Sequence, residues 1–66
     1  MEWTGIVKSY DDDEGVGKIV RDRDGHEIVV RARSLAPGVS VLYEGDRVEF
    51  DVDLGVMPEA RNVLRL

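Results

Sequence analysis

The run Val16-Gly17-Lys18-Ile19-Val20-Arg21-Asp22-Arg23-Asp24-Gly25-His26-Glu27-Ile28-Val29-Val30-Arg31-Ala32 decides the fold of this chain. β-branched residues are frequent in its two ends, Val16 to Arg21 and Glu27 to Ala32, and Asp24-Gly25 between them is the best hairpin-turn signal in the sequence. Two paired strands are therefore predicted. Period-two alternation sorts their side chains into Gly17, Ile19, Ile28 and Val30 on one side and Val16, Lys18, Val29 and Arg31 on the other. The first set suits a core and the second a surface.

Upstream, Trp3 to Tyr10 reads as a first strand, with Val7 on one face and Ile6, Lys8 and Tyr10 on the other, and it ends in the acids Asp11 to Glu14. The three strands form a meander. Downstream, residues 33–46 are irregular and contain Pro37-Gly38 and Glu44-Gly45-Asp46; Pro37 forbids a central strand there, and a single turn is expected around Ser34-Leu35. From Arg47 onward Val48, Phe50 and Val52 alternate with Glu49, Asp51 and Asp53, which predicts a fourth strand with Phe50 in the core. After a turn at Leu54-Gly55 and Pro58, Arg61 to Leu66 supplies a fifth. Alternation points Leu64 and Leu66 inward and leaves Arg61 and Arg65 outside, opposite Glu49 or Asp51.

No apolar pattern of helical period persists for three turns, so the chain is all-β, and a small closed barrel is the expected architecture. One domain spans residues 1–66. There is no cysteine and one histidine, so neither a disulfide nor a cysteine-based zinc staple holds it. A chain of this length buries only about 60% of its unfolded surface, and its 42% apolar residues must be packed efficiently. The apolar runs are too short for a membrane span and no secretory leader pattern opens the chain, so a soluble cytoplasmic protein without a membrane partner is expected. Nine Lys+Arg against fourteen Asp+Glu give a formal charge of −5, which repels phosphate at long range. Nucleic-acid binding would need a local basic patch.

Catalysis requires a nucleophile with its base, or two carboxylates of separated acidity, and one histidine without cysteine offers little of either. His26 beside Gly25 reads as a solvated turn residue, and no enzyme is expected. Asp11-Asp12-Asp13-Glu14-Gly15 is no calcium loop, because Gly15 falls where a further Asp or Asn ligand belongs and no helices flank it. Gly15-Val16-Gly17 is no dinucleotide fingerprint either, since Val20 stands at the third glycine and a strand follows. Neither metal nor cofactor is expected.

Thr4-Gly5-Ile6-Val7-Lys8, Glu14-Gly15-Val16-Gly17-Lys18-Ile19, Glu27-Ile28-Val29-Val30-Arg31, Ser34-Leu35, Glu44-Gly45-Asp46-Arg47-Val48-Glu49-Phe50 and Pro58-Glu59-Ala60-Arg61-Asn62-Val63 occur in an order and spacing that resemble the bacterial cold-shock domain. Each fragment is short, but together they cover nearly the whole chain. The resemblance implies a five-stranded antiparallel barrel of the OB-fold type that binds single-stranded RNA or DNA by stacking bases on exposed aromatics. It also favours Val63 as the inward residue of the last strand, which a bulge would reconcile with the alternation.

This sequence departs from the family at the stacking positions. Where the first motif of the family typically reads Lys-Gly-Phe-Gly-Phe-Ile, Glu14, Val16 and Lys18 stand at the lysine and the two phenylalanines; where the second reads Val-Phe-Val-His-Phe, Val29, Arg31 and Ala32 stand at Phe, His and Phe. Ser9 replaces the usual first-strand tryptophan. Tyr10 is the aromatic that remains, and Lys8 keeps the basic residue. The resemblance thus implies a weak, sequence-tolerant binder in which Lys8, Lys18 and Arg31, with Arg33 at the edge, meet phosphates or base planes, Tyr10 stacks, and Val16 and Val29 form an apolar floor. The alternative is a protein-interaction module on the same scaffold, because exposed valines beside Arg and Tyr bury area against a partner without offering a π face. Trp3 is expected to cover a barrel end, and Tyr43 lies in the crossing segment where the family often places another ligand-contacting aromatic.

Overall fold

The computed structural model describes residues 3–66, in which the alternating segments become β1 (Trp3–Asp11), β2 (Val16–Arg21), β3 (Glu27–Arg31), β4 (Arg47–Asp53) and β5 (Glu59–Arg65). A single 3-10 turn, Ala32–Ser34, follows β3, so Ala32 leaves the strand and the expected turn begins two residues early. The five strands close into a barrel in the order β1-β2-β3-β5-β4. Four of the pairings are antiparallel, and the seam between β3 and β5 is parallel, with Val29 opposite Glu59. This is the five-stranded barrel that the OB-fold reading requires.

The β2–β3 hairpin turns where expected. Gly25 takes φ +76°, a conformation glycine adopts without steric penalty, and its N–H donates to the Arg21 carbonyl at 2.8 Å. The Asp24 carboxylate accepts from the His26 N–H and from Arg21 Nε, both at 3.0 Å. In the preceding hairpin, Asp11 Oδ1 accepts from the N–H groups of Asp13 and Glu14. The acid run therefore organises a turn.

The inward set from alternation packs as expected: Val7, Ile19, Ile28, Val30, Val48 and Phe50 are buried, and Leu42, Ala60 and Val63 complete the core. Val52 is only partly buried, packed against the core near the end of β4. Leu42 lies in the irregular crossing, where no period marks it as inward.

Two bulges break the alternation, and both correct the expected faces. In β5, Glu49 pairs with Leu64 but Asp51 pairs with Arg61, so β5 carries one extra residue there. Asn62 absorbs it at φ +52°, a left-handed conformation that Asn tolerates better than most residues. As a result Val63 is buried, while Leu64 and Leu66 are 44% and 65% exposed, contrary to simple alternation. Arg61 and Arg65 do point outward; Arg61 lies opposite Asp51 in the ladder and forms an ion pair with Asp53, and Arg65 forms one with Asp46. In β1, Val7 pairs with Ile19 and Ser9 with Lys18, which leaves Lys8 as the extra residue.

The second bulge reverses the parity of everything after Lys8. Tyr10 now lies opposite buried Gly17 and packs against the core, not on the face of Lys18. No helix among the described residues is long and apolar enough to cross a membrane.

Candidate nucleic-acid interface

The β2–β3 ladder pairs Val16 with Arg31 and Lys18 with Val29. Residues directly opposite in an antiparallel ladder project to the same side, and Val16 and Lys18 are two apart on one strand, so all four share one outward face. Lys18 and Arg31 are exposed, and the two valines between them are half-buried. Ser9, opposite Lys18, and Asp11, opposite Val16, extend this face onto β1.

Lys8 reaches the same side from its bulge, where its Nζ donates to Glu27 Oε2 at 2.5 Å; Lys18 Nζ lies 3.5 Å from Glu27 Oε1. Arg33 projects from the 3-10 turn beside the strand end, largely exposed. Its Nη2 lies 3.4 Å from Glu59 Oε2, and Arg31 Nε lies 3.6 Å from Glu59 Oε1. Each glutamate thus spans two cations. The Lys8 hydrogen bond, with its charge, draws the Glu27 carboxyl below its ordinary acidity range.

Tyr10 is the one proposed contact that the geometry moves elsewhere. Its ring lies so close to Gly17 that a Cβ there would sit 2.9 Å from the ring Cδ1, and partial burial together with the Asp12 carboxylate pushes its phenol pKa up. No stacking aromatic remains on the outward face of β2 and β3. Trp3 packs, partly buried, against the core, with the guanidinium carbons of Arg21 and Arg23 at 4.7 and 5.1 Å from its ring centre. Arg21 is held in turn by the Asp24 carboxylate. Tyr43 is exposed in the turn before β4, under Arg65 at 5.8 Å.

Sequence reasoning does not single out Glu27 and Glu59 as partners of these cations. The available signal is the excess of acids in the chain, which makes any basic patch subject to internal pairing. Which acid meets which cation depends on the barrel closing β5 against β3.

The four central residues of the face sit on two hydrogen-bonded strands anchored by Ile19, Ile28 and Val30 beneath them. Chemically it offers guanidinium and ammonium donors over aliphatic surface.

No family model matches the chain. Comparison with curated proteins finds clear likenesses: it is 37% identical over 65 residues to the cold shock-like protein CspG of Shewanella violacea, covering 96% of this chain and 93% of that protein. The same identity and coverage hold for the cold shock protein CspV of Vibrio cholerae. Against the cold shock-like protein CspA of Vibrio cholerae it is 37% identical over 68 residues, covering 100% of this chain and 97% of that one. These relatives are named as cold shock proteins, none as an enzyme. With that likeness spread over the five strands and the closed barrel they form, the chain belongs to the cold-shock protein family.

Proposed function

We propose that the protein binds single-stranded RNA or DNA weakly and with little sequence preference, through the outer face of β1, β2 and β3. Lys18 and Arg31 meet phosphates or base planes, Lys8 and Arg33 add charge at the two edges, and Val16 and Val29 form the floor. The observation that carries this reading is the pairing of Val16 with Arg31 and of Lys18 with Val29, which supports a single outward platform at the positions of the family's two motifs.

Weakness follows from what is missing. Stacking on an aromatic contributes roughly 1–3 kcal/mol per base, so a platform without rings forgoes on the order of 5 kcal/mol. Electrostatics replaces part of it: four phosphate contacts on a single strand would give a salt slope of about −3. The acidic whole limits the attraction to the patch itself.

The test is an NMR titration with a short pyrimidine-rich single strand at about 10 mM salt, where the Debye length is about 30 Å. Shifts concentrated at Lys18, Val29 and Arg31 support the reading; an unchanged spectrum overturns it.

A protein partner is the second reading, and the β4–β5 loop favours it. Leu54 and Met57 are 80% and 71% exposed and Val56 is fully so, an apolar tip that a solvated loop does not need. Under this reading the oligonucleotide moves no resonance, and polar substitution of Val56 and Met57 abolishes partner capture.

A further inference from the structure

The four cations of the proposed platform are gathered by two carboxylates, one at each end. Glu27, the first residue of β3, takes Lys8 and Lys18; Glu59, the first of β5, takes Arg31 and Arg33. Four positive charges against these two and Asp11 at the β1 edge leave the patch only slightly basic, and every cation already has an anionic oxygen within 3.6 Å.

The two acids differ in freedom. The Glu27 side chain is 38% exposed, and the strand end that carries it opens to solvent. The Glu59 side chain is only 17% exposed, and Ser34, itself buried, donates its hydroxyl to Glu59 Oε2 at 3.4 Å. Glu59 is therefore held by contacts from the 3-10 turn and β3 together, and moving its carboxylate away gives up the Ser34 hydrogen bond and both arginine contacts.

We infer that Glu27 and Glu59 set the affinity of the platform by standing where backbone phosphates of a single strand would stand, so that a nucleic acid binds only by competing with them. This rests on the nucleic-acid reading above. A carboxylate offers the cations the same charge-assisted acceptors as a phosphate, and a retained one repels the incoming strand. Glu59, the less exposed and held also by Ser34, yields less readily than Glu27 and so limits affinity more. An exposed ion pair is weak on its own, which is why a polyanion can displace it at low salt.

The experiment measures anisotropy of a labelled pyrimidine-rich single strand with the wild type, Glu27→Gln, Glu59→Gln and Asp51→Asn, across a salt series, with thermal unfolding as the check on folding. Asp51 lies on β4, two strands from both β2 and β3 around the barrel, and its substitution makes the same change in net charge away from the platform. Glu27→Gln and Glu59→Gln are each expected to bind roughly threefold or more tighter than Asp51→Asn, Glu59→Gln the more so, with a salt slope steeper by up to about 0.7 for each additional phosphate engaged. If wild type binds and neither Glu27→Gln nor Glu59→Gln exceeds Asp51→Asn, the role of the two glutamates is overturned while the platform stands. If no variant binds even at the lowest salt, both fall. Binding by Glu27→Gln and Glu59→Gln alone supports the inference in its strongest form.

Discussion

Tyr10 and Gly17 face each other across the β1–β2 ladder, and a Cβ on Gly17 would meet the Ser9 carbonyl and come within 2.9 Å of the Tyr10 ring. The absence of a side chain at residue 17 is what lets the ring fold against the core. Gly17→Ala should destabilise the protein by about 1–3 kcal/mol, the cost of overpacking, read as a lower midpoint in urea unfolding. Tyr10→Ala should also lower stability, and it should leave oligonucleotide affinity at saturating folded protein unchanged, because the ring is off the platform. A loss of affinity without a loss of stability would contradict that placement.

Asn62 lies at the bulge that turns Val63 inward, at φ +52° with its Nδ2 donating to Asp51 Oδ2 at 3.1 Å. Asn62→Ala should cost about 1–2 kcal/mol through left-handed strain. Asn62→Gly removes the same hydrogen bond without the strain and should cost less. Equal losses in both variants, measured by chemical unfolding, would assign the effect to the hydrogen bond instead.

Acid should destabilise the fold through three carboxylates. Asp24 is held low by its hydrogen bond from Arg21, Glu27 by that from Lys8, and Asp46 by the Tyr43 N–H and Arg65. In each the folded pKa lies below the unfolded one, so the contribution is complete above the ordinary values of 3.8 and 4.5 and is lost as pH falls through the folded values. Melting temperature should be insensitive to these groups above about pH 5 and fall below about pH 4. Asp24→Asn should flatten the acid limb.

Reversing the central pair of cations tests the platform directly. Lys18→Glu with Arg31→Glu places two acids on the face beside Val16 and Val29, and should weaken binding to a pyrimidine-rich strand by roughly a hundredfold at low salt. The melting temperature should fall, since the new carboxylates stand beside Glu27 and the largely buried Glu59, and binding is therefore compared at a temperature where both proteins are folded. Superimposable titration curves for the variant and wild type would remove the basic face from the mechanism.

Much of the fold is legible in the chain because strand alternation is a local property. Period two alone identifies Ile19, Ile28, Val30, Val48 and Phe50 as core, and all are buried. Leu42 escapes it because an irregular segment has no period to read. The outward set Val16, Lys18, Val29 and Arg31 is legible for the same reason as the core, being its complement on β2 and β3. Alternation misassigns Tyr10 and Leu64 because each adjoins a bulge, and a bulge depends on the number of residues in the partner strand as well as in its own.

The sequence by itself determined the five strands, the Asp24-Gly25 turn and most of the interior, since each follows from side-chain spacing and turn chemistry within a few residues. Only the tertiary structure decided which way Tyr10 and Val63 point, and that Glu59 meets Arg31 and Arg33. The physical reason is common to these cases: register and ion pairing are relations between separate strands, and they exist only once the barrel has paired β1 with β2 and closed β5 against β3 and β4.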